Sequence, residues 1–338
     1  MFHHLLVPLD GSPRAERALA VAARLARANN GRVTLVRVVP ESIDYSAFML
    51  PSPAYFQGMT HTGLSQATHY LDQVAQFPVL EGIPVEKQVL FGSVADTILW
   101  VAESTDIDLI VTCSHGYTGL TRWALGSVAE KIAHHAHIPV LILREEGPIP
   151  ASPHPDKTQP FCVLVPLDGS TNSKAAIEPA AELIAALAAP AKAKLHLMRV
   201  VASPSTHAKG LEQEERVHRL HRARTYLETT VQHIREGLVA PIVKKLGLTT
   251  SWSVAVDTDV AGAIIRTAEN GKNIGGADVF DTCDLIAIAT HGRGGLQRWA
   301  MGSVTERVLH ATKLPILIVH STEATSDAAE STQAATVV

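Results

Sequence analysis

The chain has 338 residues, 46% of them hydrophobic, and a formal net charge of -4. That length allows about two ordinary domains, each with enough apolar residues for a core of its own. The charge balance excludes a nucleic-acid footprint, the apolar runs stay far below the ~18 residues of a membrane span, and Cys113, Cys162 and Cys283 are too few and too scattered for a disulfide framework or a zinc knuckle, so a reducing cytoplasm is expected.

The N-terminus, MFHHLLVPLDGS, has no basic region followed by a long apolar core. It reads as a first strand over 4–9 rather than a signal peptide. Ser12-Pro13 then opens a helix, with serine as the cap and proline at the first position; it runs to about residue 28, where Asn29-Asn30-Gly31 stops it. A second strand is predicted over 32–38. Residues 40–63 read as irregular, 61–80 as a helix, 85–90 as a strand, 93–104 as a helix and 108–113 as a strand of nearly continuous apolar character. A helix over 121–135 and a last strand over 140–143 complete the first half. The second half predicts strands over 162–167, 194–200, 251–256, 284–289 and 315–319. Its middle helical region, 210–246, is longer and more charged, and 270–281 adds a glycine-rich insert. Short strands alternating with helices argue for parallel β/α units. Unalternated strands such as Leu285-Ile-Ala-Ile-Ala argue for burial on both faces.

The two halves are copies. LVPLDGS occurs at Leu6 to Ser12 and again at Leu164 to Ser170. HGYTGLTRWALGSV begins at His115 and HGRGGLQRWAMGSV at His291. Each half closes with an apolar run after proline, at Pro139 and Pro315. A period of about 160 residues is too long for a solenoid repeat, so one whole domain occurs twice. The expected division is a first domain over 1–144, a proline-rich linker over 145–160, a second domain over 161–320 and a disordered Ser/Thr/Ala-rich tail over 321–338.

The repeated phrase starts at the C-terminal end of a parallel strand, the usual ligand side of an open α/β sheet. His115, Gly116 and Gly119 occupy the following loop, and Gly126-Ser127 come at a helix start or tightened turn. Glycine permits close backbone approach, and exposed N–H groups at a helix start hold phosphate oxygens. Ser127 and Ser303 add hydroxyl donors. The alternative is plain sheet-to-helix packing, because a structural turn would be copied too. Neither phrase is a P-loop or a GxGxxG motif. Trp123 and Trp299 read as packing residues. Asp10 and Asp168 end the first strand of each half, where a carboxylate either accepts from a ribose or caps the Asp-Gly turn. Pro8 and Pro166 remove a ladder donor beside them.

With these landmarks the chain resembles a tandem universal stress protein over nearly all of residues 1–320. The nucleotide motif of that family is Gly, two residues, Gly, nine residues, then Gly and Ser or Thr. Gly116 with Gly126-Ser127, and Gly292 with Gly302-Ser303, match it; Cys113 and Ala289 stand where the motif has its first glycine. The resemblance implies two Rossmann-like, adenine nucleotide alpha hydrolase-like domains. Each is an open five-stranded parallel sheet of order 3-2-1-4-5 with helices on both faces, and the two pair through their last strands. It also implies ATP, with any magnesium arriving on the nucleotide. Asp10 and Asp168 would lie near the adenosine, with Pro8, Val38, Pro166 and Val200 at the base pocket. Cys113, His115, Gly116, Gly126, Ser127 and Val128 would lie along the phosphates in one half, and Ala289, His291, Gly292, Gly302, Ser303 and Val304 in the other.

No catalytic residue is assigned. Hydrolysis would need a positioned water, charge stabilisation and usually a metal, and His115 and His291 are the only repeated acid–base candidates. The expected function is a nucleotide-dependent stress-response or regulatory module. The alternatives are a nucleotide-free structural or chaperone-like protein and a slow ATP hydrolase. A regulatory protein partner and a dimer of tandem chains are expected, and no nucleic acid or membrane. No metal site is assigned: His134, His135 and His137 read as histidines suited to a helix C-terminal dipole, and His218 and His221 share a helix face without further ligands.

Overall fold

The first β/α unit shows how closely the local code works. In the computed structural model, which describes residues 2–41, 53–114, 125–144, 160–203, 211–271, 282–290 and 301–320, strand β1 (His4–Pro8) leads into helix α1 (Pro13–Asn29). The Ser12 hydroxyl accepts from the Ala15 N–H at 3.2 Å, Pro13 takes the first turn, and Asn30 ends the helix in a left-handed conformation (φ 50°). Gly31 follows because a Cβ there would stand 2.4 Å from the His3 carbonyl oxygen.

The remaining elements of the first half are β2 (Arg32–Val39), α2 (Pro53–Val74), β3 (Val85–Phe91), α3 (Val94–Ser104), β4 (Leu109–Cys113), α4 (Ser127–His135) and β5 (Val140–Leu143). The second half contains β6 (Phe161–Pro166), α5 (Thr171–Lys174), α6 (Ile177–Ala188), β7 (Ala193–Ala202), α7 (Leu211–Glu236), α8 (Pro241–Lys245), β8 (Thr249–Asp257), α9 (Val260–Asn270), β9 (Leu285–Ala289), α10 (Ser303–Ala311) and β10 (Ile316–Val319).

Two expected helices have different bounds. The helix expected over 61–80 starts at Pro53, inside the stretch read as irregular, and ends at Val74, before a separate turn over Pro78–Leu80. Proline at a first helical position is favourable, whereas Pro78 cannot continue a helix. The helix expected over 121–135 starts at Ser127, with Gly126 extended (φ -67°, ψ 144°) as its cap. The linker residues 145–159, the insert over 272–281 and the tail over 321–338 lie outside the described residues.

The ten strands of the described residues form one sheet, in the order β3-β2-β1-β4-β5-β10-β9-β6-β7-β8. Each half has the order 3-2-1-4-5 with parallel neighbours, and among the described residues the seam is the one antiparallel pair, with Ile142, Leu141 and Val140 opposite Ile316, Leu317 and Ile318. The last strands thus pair within one chain. Alternation along the strands feeds two cores. Leu5, Val7, Val163 and Val165 pack under α1, α2, α6, α7 and α8; Leu6, Ile110, Leu164 and Ile286 pack under α3, α4, α9 and α10. Among the described residues, no helix is long and apolar enough to cross a membrane.

Candidate functional site

The first strand of each half ends in the same carboxylate-centred turn. Asp10 Oδ1 accepts from the Ser12 N–H at 2.9 Å and the Ser12 hydroxyl at 2.6 Å, and Asp168 Oδ1 accepts from the Ser170 N–H and hydroxyl at the same two distances. Gly11 and Gly169 have φ of 83° and 91°, a conformation that favours glycine. Of the two roles open to this aspartate, the turn is realised in both copies. Pro8 and Pro166 end β1 and β6 immediately before it, half-buried. Val38 is buried near the end of β2, while Val200 on β7 is partly buried; both pack toward the α3/α4 and α9/α10 side of the sheet.

The fourth strand of each half is tied back to the helix that follows it. The Gly126 N–H donates to the Ser114 carbonyl at 2.7 Å, and the Gly302 N–H to the Thr290 carbonyl at 2.8 Å. Those strand ends are held in turn by the last strands, through Ser114 N–H to Leu143 O (2.8 Å) and Thr290 N–H to Val319 O (2.9 Å). The approach at Gly302 is close enough that a Cβ would lie 3.1 Å from the Thr290 oxygen. Gly126 and Gly302 each open a nine-residue helix with no side-chain cap. By contrast, α1, α5 and α9 are capped by Ser12, Ser170 and Asp259. Ser127 and Ser303 are exposed in the first turn, with Val128 and Val304 half-buried beside them. An uncapped first turn presents N–H groups and the positive end of the helix dipole, the local chemistry that suits an anion.

Cys113 and Ala289, at the place of the motif's first glycine, turn toward the layer formed by α1 and the α5/α6 pair. Cys113 Sγ lies 3.9 Å from the Ala15 carbonyl oxygen, and burial pushes its thiol up to about 12. Ala289 is buried, and its carbonyl accepts from the Thr305 hydroxyl at 2.9 Å. His115, Gly116, Gly119, Arg122, Trp123, His291, Gly292, Arg293, Arg298 and Trp299 lie outside the described residues.

Three clusters emerge that the sequence reading passed over. The Arg37 guanidinium stacks over Tyr70 at 5.8 Å and donates to the Leu9 carbonyl at 3.3 Å, next to the Asp10 turn. Arg199 stacks over Tyr226 at 4.9 Å beside the Asp168 turn. The Tyr70 hydroxyl donates to Glu16 at 3.0 Å, whereas Lys174 lies over the Tyr226 ring at 5.3 Å, so the two corners differ in charge. Burial pushes the pKa of both phenols above the ordinary range. The repeats Arg-Val-Val (from Arg37 and Arg199) and Tyr-Leu-acidic (from Tyr70 and Tyr226) were the available signal. Secondly, Cys162 and Cys283 are not scattered: their sulfurs stand 3.1 Å apart, both buried, because β6 and β9 are neighbours. Thirdly, Glu130, His134 and Glu306 converge where α4 meets α10.

The model of the Universal stress protein family matches residues 1–144, 162–272 and 281–320. A universal stress protein of Mycobacterium tuberculosis is 24% identical over 336 residues, covering 93% of this chain and 94% of its own length. One from Methanocaldococcus jannaschii is 30% identical over 146 residues, 43% of this chain and 84% of its own. The crystal structure of a universal stress protein from Archaeoglobus fulgidus superposes with a TM-score of 0.61 at 18% identity, covering 94% of this chain and 98% of that one. A putative universal stress protein from Pseudomonas aeruginosa gives 0.59 at 19% identity, with 94% and 93% covered. The two structural likenesses bear on the fold, and the family match spans both copies of the repeat. This chain belongs to the Universal stress protein family, as a tandem member carrying the family's domain twice.

Proposed function

We propose that each half binds one ATP at the C-terminal edge of its sheet and that the chain works as a nucleotide-dependent stress-response module without efficient turnover. The observation that carries this reading is the repeated lock of Gly126 on Ser114 and Gly302 on Thr290, which fixes an uncapped helix start at the strand ends. Phosphates belong there, on the N–H groups and hydroxyls of Ser127 and Ser303 and beside Val128 and Val304, together with His115, Gly116, His291 and Gly292. Asp10 and Asp168 frame the ribose, and Pro8, Val38, Pro166 and Val200 frame the base. Cys113 and Ala289 are compatible with this arrangement because their side chains turn toward the helix layer on the α1 side. Magnesium comes with the nucleotide.

The test is to denature freshly purified protein and measure the released nucleotide by chromatography with mass detection. Two ATP per chain is the expected result. One per chain would divide the labour between the halves, with Cys113 the first suspect. None, even after incubation with Mg-ATP, overturns the proposal in favour of a nucleotide-free structural or partner-binding protein.

A further inference from the structure

The pseudo-two-fold seam brings the same short motif face to face from both halves. Helix α4 carries Glu130 and His134, and α10 carries Glu306 and His310. A spacing of four residues places both side chains on one helix face. His134 Nε2 lies 3.2 Å from Glu306 Oε2, and His310 Nε2 lies 3.3 Å from Glu306 Oε1 and 3.7 Å from Glu130 Oε1. The ligand atoms of Glu130, His134 and Glu306 all lie within 4.8 Å of one another.

We propose that this two-histidine, two-glutamate cluster is a divalent transition-metal site, suited to zinc, that staples the two halves together across the seam. Metal–ligand bonds of about 2.1 Å in a tetrahedron put neighbouring donors about 3.4 Å apart. The donor atoms of Glu130, His134 and Glu306 stand within 4.8 Å of one another, and His310 Nε2, near both glutamates, joins them after a small side-chain adjustment. Mixed imidazole and carboxylate donors suit zinc and its first-row neighbours, whereas magnesium and calcium prefer oxygen alone. Charge points the same way. Two carboxylates face two imidazoles, and the cationic neighbours in sequence are engaged elsewhere: Lys131 pairs with Asp96 at 2.6 Å and Arg307 with Asp259 at 2.9 Å. The side chains of His134, Glu306, His310 and Glu130 are 23%, 36%, 37% and 41% exposed, which leaves an ion a route in. Two ligands come from each half, so the donor set is complete only when β5 and β10 are paired.

The experiment uses untagged full-length protein, stripped with chelator and free of nucleotide, titrated with zinc chloride in a calorimeter. The expected result is one zinc per chain, a zinc-dependent rise in melting temperature, and tetrahedral visible absorption when cobalt replaces zinc. His134→Gln with His310→Gln is expected to weaken binding at least about tenfold and to abolish the cobalt band. Glu306→Gln, a near-isosteric change at a part-exposed site, is expected to weaken it in the same direction. His137→Gln, outside the donor set, leaves it unchanged. Substoichiometric zinc, or equal affinity in the double variant and the His137 control, overturns the proposal. Magnesium is expected neither to bind at the cluster nor to displace zinc.

Discussion

His196 sits in the middle of β7, held between two serine hydroxyls: its Nδ1 lies 2.8 Å from Ser251 and its Nε2 2.8 Å from Ser253. Burial, with Lys194 adding repulsion, pushes its pKa down to about 3. The folded state therefore keeps this imidazole neutral while the unfolded chain protonates it below its ordinary value near 6.5. The unfolded state binds more protons in that window, so stability falls as pH drops from about 6.5 and levels off near 3. Between pH 7 and 5 the expected loss from this residue is about 2 kcal/mol. Urea melts at the two pH values check it, and His196→Gln is expected to shrink the difference by that amount. The sequence shows a histidine in an apolar strand, but not the serines, which lie on β8 some 55 positions away. Pairing of that kind is legible only once register is known. The Cys162–Cys283 contact escaped for the same reason, since parallel strands join residues far apart in the chain.

Helices were legible where capping is local and obscured where it is tertiary. Ser12-Pro13 and Asn30 announce both ends of α1. The start of α4 could not be read from its amphipathic pattern, because what sets it is the backbone bond from Gly126 to the end of β4. Helix α7 covers the sheet with its second part only: Ala223, Leu227, Thr230, Val231 and Ile234 form the buried stripe, while residues 214–218 of its first part are exposed. The tightest test of the helix-start reading is Gly302→Val. A Cβ would stand 3.1 Å from the Thr290 oxygen, tighter than ordinary contact, so the branched valine side chain strains the lock. The expected outcome is loss of one of two ATP equivalents, or at least about tenfold weaker binding in the second half, equivalent to about 1.4 kcal/mol. The first-half site should keep its affinity, and nucleotide titration of the variant against wild type shows whether it does.

At the scale of the molecule, the repeat itself was the most legible feature, because three landmarks recur in order. The seam was implied by family resemblance and is realised as an antiparallel join between two otherwise parallel half-sheets. What the sequence did not reveal is how the two faces of the join are finished. On one face α1 meets α6, with Arg24 donating to the Ala189 carbonyl at 2.7 Å. On the other, the Glu/His motifs of α4 and α10 meet, and neither half alone shows more than two of the four groups. A first half expressed alone would expose the strand edge of β5 and the apolar flank of α1. It is expected to self-associate, with sedimentation showing a mass that rises with concentration, whereas the full chain keeps its mass at the same concentrations.

Joining the last strands inside one polypeptide changes the kind of equilibrium that holds them. Two separate copies would part on dilution, at a rate and a midpoint set by how many molecules share the volume. Here the partner is tethered, its local concentration is fixed by the covalent connection, and the bulk amount drops out. The glycine-started helices of both halves therefore stay within one molecule when protein is scarce, and under the proposed function their filling would follow the nucleotide level alone, independent of protein abundance.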